Sequence, residues 1–300
     1  MPAPLLIADV PWLLYRAYFA LPKSIADGKG RPVNALLGTV NALLGALEPS
    51  PYTAPPRALA ACMGAEEAVY RVRLFPGYHA HREPMPDELR RQWELAPELL
   101  EGLGWTFVTD QQLEADDVMF SFARAEQAAG GQALLVTGDR DLYGAVGERV
   151  AVLELSKGSV SGLIGPEEVR ARYGVEPLQV PDFIALRGDP SDGLPGARGV
   201  GAKTAAELLL AHGTLERVIA AADEIARGGA PAAKPLSPRI AAAIAQNAGL
   251  LEDFKRIATL QRIEVELPGL QPTDYANGSS VAVRLGLPRL AQRLAKLARA

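Results

Sequence analysis

Hydrophobic positions along this chain follow two spacings in turn. Short unbroken apolar runs, Leu5-Leu6-Ile7-Ala8, Ala58 to Met63, Thr106-Phe107-Val108, Ala133 to Thr137 and Val150 to Leu155, have the length of strands buried on both faces. Between them apolar residues recur at helical spacing: from Trp12, over Val33 to Leu47, from Asp87 through Leu89, Trp93, Leu99 and Leu103, and over Val118 to Ala129. This alternation predicts an α/β architecture, a mainly parallel sheet with helices on both faces. Gly28 to Pro32 and the proline-rich Pro49 to Pro56 are its turns. Tyr70 to Arg91, rich in Arg, His, Tyr and Pro, has few core positions and predicts an exposed excursion above the sheet.

Beyond Tyr173 the strand signals stop. Helices are expected over Pro177 to Arg187, Lys203 to His212 and Leu215 to Ala222, with a loop of Gly, Pro and Asp over Gly188 to Gly201. Gly228 to Pro238 is a Gly/Ala/Pro linker or insert of low information, and Arg289 to Ala300 a short basic amphipathic helix. The chain thus divides into a sheet-bearing region, 1–174, and a helical region, 175–300.

Composition adds few constraints, and charge adds one. The 300 residues suffice for one large or two small domains. No apolar run approaches a membrane span, and Met1 to Ala20 lacks the pattern of a signal peptide, so a cytoplasmic protein with no membrane partner is expected. The single cysteine, Cys62, has no zinc-type partners and reads as a buried thiol. The net charge of −4 is unevenly spread: residues 1–200 hold 18 Lys and Arg against 26 Asp and Glu, and residues 201–300 hold 13 against 9. An acidic focus joined to a basic region suits metal ions on one side and a polyanion on the other.

The acids that make up this focus sit at telling places. Asp9 ends the first strand, Glu114 precedes a helix opened by Asp116 and Asp117, Asp139 and Asp141 follow the clearest strand, and Asp189 and Asp192 lie in the Gly188–Gly201 loop. Carboxylates at the carboxyl ends of parallel strands face the crevice where open α/β sheets bind ligands. First-turn acids are also common as partners of a helix dipole, so any one cluster alone would be structural. Converging together they would repel one another and require cations; all-oxygen ligation selects Mg²⁺ or Mn²⁺ rather than zinc. Two such ions roughly 4 Å apart promote in-line displacement at phosphorus, and phosphodiester hydrolysis is the natural reaction.

The stretch Gly196-Ala197-Arg198-Gly199-Val200-Gly201-Ala202-Lys203-Thr204 fails as a Walker loop, because one extra residue separates Gly201 from Lys203. As a hairpin between two helices it lets a phosphate approach backbone N–H groups at a helix start, with Lys203 adding charge. That grips a nucleic-acid backbone without reading bases.

Three runs, Leu113-Glu114-Ala115-Asp116-Asp117, Thr137-Gly138-Asp139-Arg140-Asp141-Leu142 and Gly188 through Ala205, resemble the signature of the bacterial 5′ nucleases, the 5′→3′ exonuclease domain of DNA polymerase I and its stand-alone flap-endonuclease relatives. The resemblance, which runs from Asp9 to about Leu267, implies a PIN-like nuclease domain with a helical arch over about 70–103. It also implies a helix-three-turn-helix DNA clamp, of helix-hairpin-helix type, that often holds a potassium ion. Carried over, Asp9, Glu114, Asp116 and Asp117 match a first metal group and Asp139, Asp141, Asp189 and Asp192 a second. Arg82 of the arch would meet the scissile phosphate, with Arg71 and His79 beside it in the catalytic machinery. Tyr15 and Arg16 match an aromatic-basic pair, and Arg198, Gly199, Gly201, Lys203 and Thr204 would contact DNA. The implied function is a structure-selective 5′ nuclease of DNA replication and repair, without a polymerase, acting as a monomer on DNA with a 5′ flap or 5′ single-stranded end.

Two positions depart from the pattern. The family has an Asp in a Phe-Asp pair after the second strand where this chain has Met63-Gly64, and His79 stands in place of an arch lysine. Glu66 and Glu67 are the nearest carboxylates that could substitute. The departures keep open a catalytically impaired branched-DNA binding protein; a PIN-like RNA endonuclease is a further alternative, opposed by the helical hairpin. Trp93 and Trp105 read as packing residues, His212 as a helix-end residue, and Arg289, Arg293, Lys296 and Arg299 as a solvated face.

Overall fold

A computed structural model describes residues 3–156, 159–231 and 233–299. In chain order its elements are β1 (Leu5–Asp9), α1 (Val10–Ala20), α2 (Asn34–Leu47), β2 (Ala58–Met63), α3 (Val69–Leu74), α4 (Asp87–Gly102), β3 (Thr106–Thr109), α5 (Ala115–Ala128), β4 (Ala133–Val136), β5 (Val150–Ser156), β6 (Ser159–Ile164), α6 (Pro166–Tyr173), α7 (Val180–Arg187), α8 (Ala202–His212), α9 (Leu215–Ala226), α10 (Pro238–Gln246), α11 (Ala248–Ala258), α12 (Tyr275–Arg284) and α13 (Pro288–Leu297). Met1 and Pro2, part of the stretch tested for a signal peptide, and Ala300, the end of the expected basic helix, lie outside the described residues. Among those described, no helix is long and apolar enough to cross a membrane.

The six-stranded sheet has the order β3-β2-β1-β4-β5-β6. Every pairing is parallel except that of β5 with the edge strand β6. β1, β2 and β4 are buried along their whole length, which is why they read as unbroken apolar runs. The chain leaves β1 toward β2 on one side and returns to β4 on the other, so the crevice beyond the ends of β1 and β4 is the topological switch point of the sheet. Register sets Ala8 beside Val136 and Asp9 beside Cys62, and thereby brings Asp9 level with Thr137 as the two strands end.

Two buried clusters cover the two faces. One joins α5 to α7 through α11 by way of Phe122, Phe183, Leu208 and Phe254. The other joins α1, α2 and α4 to the C-terminal helices by way of Leu13, Leu36, Leu89, Val281 and Leu290. Helices α12 and α13 therefore pack with the N-terminal half. The irregular stretch 259–274 that leads to them runs past the edge of the sheet: Gln271 N–H donates to Arg57 O (2.9 Å), Trp105 Nε1–H to Thr273 Oγ1 (2.9 Å) and Asp274 N–H to Leu103 O (2.8 Å). Such cover blunts the exposed edge beside β3.

The segment expected as an exposed excursion, Tyr70 to Arg91, is exposed over Ala80 to Pro84 but anchored on either side of it. Arg71, Tyr78, His79 and Met85 are all buried, and only a turn of helix, α3, precedes the loop to α4. Arg71, Tyr78 and His79 are buried because carboxylates and backbone beneath them supply partners, whereas Arg73, His81, Arg82 and Glu83 stay exposed.

Candidate nuclease site

Each acid is placed by a local rule. Asp9 is the N-cap of α1: one oxygen accepts the Trp12 N–H (2.9 Å) and the other the Thr137 hydroxyl (2.7 Å). Thr137 Oγ1 in turn accepts the Asp139 N–H (2.9 Å), and Asp139 Oδ1 the Asp141 N–H (2.9 Å). This chain ties the ends of β1 and β4 into one unit. Thr137 was given no role by its sequence; its place directly after a strand and before the acids was the available signal.

Glu114, the residue before α5, accepts the Ala68 N–H (2.8 Å) and the Tyr78 hydroxyl (3.1 Å) and pairs with Arg71 Nη1 (2.9 Å). Asp116 and Asp117 follow in the first turn of the helix, where neighbours point about 100° apart and cannot face the same point. Asp116 lines the pocket; Asp117 is absent from its lining and fully buried, bound by Arg71 Nη2 (3.0 Å) and the Gln261 N–H (2.7 Å). Arg71 also donates to Ile257 O (3.0 Å), so it ties α5 to the end of α11. Asp189 and Leu194 pair through their backbones at 2.8 Å in both directions, and this turn presents Asp192 toward Arg82 (3.1 Å) and His79 (3.0 Å).

Asp9, Glu114, Asp116, Asp139, Asp141 and Asp192 line one cavity of about 580 Å³, with Arg71, Arg82, Tyr15 and Trp93 among its other walls. Burial drives Asp9 up to about 7, with the Asp139 and Glu114 charges adding to it against the hydrogen bonds from Trp12 and Thr137. Burial, then the neighbouring Asp139, lifts Asp116 and Asp141 well above the usual carboxylate range, and Asp139 is raised by burial, with Asp192 and Asp189 adding to it. Asp189 lies outside this lining: its carboxylate accepts the Ser191 N–H (2.8 Å) and faces Arg187 at 3.8 Å. Among the described residues no three His, Cys, Asp or Glu side chains are gathered tightly enough round one point to chelate an ion. The donor set nonetheless fits hard divalent cations: it is all oxygen, partly withdrawn from water, and its mutual repulsion is the kind that such a cation relieves.

Gly64 explains its own departure. A Cβ there would sit 2.4 Å from Leu113 O, 2.6 Å from Glu114 C and 2.7 Å from Ala115 N, so the loop carrying Glu114 occupies the space a side chain would need. Glu66 and Glu67 do reach the cavity wall, Glu66 paired with Arg90 at 3.2 Å on the rim. His79, read from the sequence as an arch cation, is 2 % exposed and faces Asp192. Arg82 is the exposed cation at the cavity mouth, and Arg16 lies over the Trp12 ring (5.4 Å) outside the lining.

The clamp loop runs between α7 and α8. Gly199 has φ +85°, nothing stands within 4 Å of a Cβ at Gly199 or Gly201, Arg198 is exposed, and the Lys203 side chain is 90 % exposed. Thr204 is half-buried in the first turn of α8. The end of the loop thus offers open backbone and cations at a helix start, while its beginning carries Asp189 and Asp192.

Comparison with known proteins follows this division. Residues 4–174 match the 5′-3′ exonuclease N-terminal resolvase-like domain, and residues 175–276 the 5′-3′ exonuclease C-terminal SAM fold. A 5′-3′ exonuclease of Mycobacterium tuberculosis is 34 % identical over 321 aligned residues that take in 99 % of this chain and 98 % of that protein. The thermostable DNA polymerase I of Thermus thermophilus is 36 % identical over 96 % of this chain, which spans 32 % of that protein's length. Among solved structures, a phage T5 5′-exonuclease with bound divalent zinc superposes with a TM-score of 0.67 at 14 % identity, covering 99 % of this chain and all of that one. The catalytic core of Rad2 in complex with DNA superposes with 0.61 at 14 %, covering 97 % and 91 %; these two likenesses speak to the PIN-like fold. With both domain families matched in order and a near full-length relative at that identity, the chain belongs to the 5′-3′ exonuclease family.

Proposed function

We propose that this chain is a divalent-metal-dependent, structure-selective 5′ nuclease that hydrolyses phosphodiester bonds of DNA bearing a 5′ flap or 5′ single-stranded end. The observation that carries the proposal is the gathering of Asp9, Glu114, Asp116, Asp139, Asp141 and Asp192, from separate stretches of the chain, in the lining of one cavity with an exposed arginine, Arg82. Asp9, Glu114 and Asp116 would hold one Mg²⁺ or Mn²⁺, and Asp139, Asp141, Asp189 and Asp192 a second. When bound, such ions activate water and stabilise the charge of an in-line displacement at phosphorus.

The protein's own groups do the rest. Arg82 at the mouth draws the phosphate toward the acids, exchanging its pairing with Asp192 for the incoming anion. Gly199 and Gly201 expose N–H groups that, with Arg198 and Lys203, hold the duplex backbone; none of these contacts reads a base, which favours selection by shape. Tyr15 and Trp93 add apolar surface to the same cavity. The hairpin is also the place for the potassium ion that the family resemblance implies. Incubation with a 5′-flap duplex in Mg²⁺ or Mn²⁺ tests the proposal: cleavage near the junction is expected, and no product at any metal concentration from folded protein overturns it. Binding without turnover is the second reading, favoured by Gly64; it predicts tight, salt-dependent flap binding and no product.

A further inference from the structure

His79 has the backbone conformation least expected at its position. It is the one non-glycine residue with positive φ (+56°) among those described, and it is 2 % exposed with Nδ1 buried and unpartnered. A non-glycine residue persists there only when its surroundings hold it. Those surroundings are visible. Its N–H donates to Asp192 O (3.1 Å), its Nε2–H donates to Asp192 Oδ1 (3.0 Å), and its ring stacks on that of Tyr78 with centroids 3.8 Å apart. Tyr78, also buried, donates its hydroxyl to Glu114, 3.1 Å from Oε1 and 3.2 Å from Oε2.

Two consecutive residues with stacked rings therefore each grip one carboxylate, one in the first acid group and one in the second. The turn that carries Asp192 is pressed against the same segment: a Cβ on Gly193 (φ +78°) would lie 2.7 Å from Gly77 O. Asp192 is thus located by backbone contact on one side and by the imidazole on the other.

We propose that Tyr78 and His79 form a rigid two-ring brace whose role is to position Glu114 and Asp192 relative to each other, and so to set the spacing of the two ions. Neither residue touches the reacting atoms in this role; both are positioning residues. The inference rests on the two-ion reading of the site given above, and it assigns His79 a role other than that of a cation offered to DNA. The ring stack makes the brace stiff, and it couples the two groups: displacing either hydroxyl or imidazole shifts the other ring and the carboxylate that ring holds. Contacts that orient ligating carboxylates from behind typically change metal affinity by roughly 10- to 100-fold when removed.

The test uses Mn²⁺ and the full chain. Mn²⁺ binding is followed by titration calorimetry, and the spin coupling between neighbouring Mn²⁺ ions by electron paramagnetic resonance, for the parent, Tyr78→Phe, His79→Phe and His79→Gln. Tyr78→Phe deletes one oxygen and keeps the ring stack; His79→Phe keeps the stack and loses the donor; His79→Gln keeps a donor at comparable reach. Tyr78→Phe and His79→Phe are expected to bind roughly 10- to 100-fold more weakly and to lose or alter the coupled signal, while His79→Gln recovers most of the affinity. Parental affinity and an unchanged coupled signal in both Phe variants overturn the brace. A parent that shows no coupled Mn²⁺ pair overturns the two-ion reading itself, and the brace with it.

Discussion

Replacing Arg71 with methionine removes the cation that neutralises two buried acids at once. Arg71 is 3 % exposed and holds Glu114 at 2.9 Å, Asp117 at 3.0 Å and Ile257 O at 3.0 Å. In its absence Glu114 keeps the Ala68 N–H and the Tyr78 hydroxyl, but Asp117 keeps only backbone N–H donors such as Gln261. Breaking a buried pair from one side costs roughly 3–5 kcal/mol, and the lost bond to Ile257 O adds about 1 kcal/mol. Asp117, already raised by burial despite the arginine, would be raised further without it. A carboxyl whose folded pKa exceeds its unfolded value binds the extra proton in the folded state, so stability falls as pH rises through that interval. The deficit of Arg71→Met should accordingly be larger at pH 8 than at pH 5. Urea unfolding of chelator-treated protein measures it, and Arg71→Met/Asp117→Leu should recover a large part by removing the stranded acid. A deficit below about 1 kcal/mol, equal at both pH values and unrelieved in the double variant, would refute the reasoning.

Other expectations follow from the same geometry. Gly64→Asp, which restores the family's acid on paper, should instead destabilise by roughly 1–3 kcal/mol, because its Cβ meets backbone at 2.4 to 2.7 Å; thermal melting and Mn²⁺ titration check this, and tighter binding with no loss of stability would contradict it. Metal-free protein should lose stability as pH rises from about 4 toward 7, Asp9 alone accounting for up to about 4 kcal/mol of the change, and Asp9→Asn should flatten the profile while added Mg²⁺ restores stability at high pH. Arg198→Ala and Lys203→Ala should each weaken binding to a 5′-flap duplex uniformly across sequences, and should each reduce the slope of log affinity against log salt by about 1; fluorescence anisotropy across a salt series reads both.

Much of the fold could be read from the chain because the sheet is parallel and buried. Ala58 to Met63 and Ala133 to Val136 are continuous apolar runs with no solvent face to blur them. Several elements escaped: α6 and α11 were not read, α11 despite Leu251, Phe254 and Ile257 at helical spacing, and three others have weaker signals. β6 interleaves Ser159, Ser161 and Gly162 with its apolar positions, α10 is mostly alanine beside a Gly/Ala/Pro loop, and α12 carries Gly278 in its middle. For the site, strand-end acids were legible because position at the end of a strand fixes direction. Adjacent acids in a helix were not: Asp116 and Asp117 match one motif equally well, yet the rotation of about 100° per residue leaves only Asp116 in the cavity lining. Long-range burial was equally invisible, since nothing near His79 or Arg71 in sequence announces Asp192 or Ile257 as partners.

That rotation also supplies the sharpest test of the proposed chemistry. Single-turnover cleavage of a 5′-flap duplex in saturating Mg²⁺ can be compared for the parent, Asp116→Asn, Asp141→Asn and Asp117→Asn, each verified as folded. Asp116→Asn and Asp141→Asn should lose orders of magnitude in rate, whereas Asp117→Asn should keep most of its turnover while melting at a lower temperature. Parental rates in both Asp116→Asn and Asp141→Asn would show that the acids of this cavity do not carry the reaction.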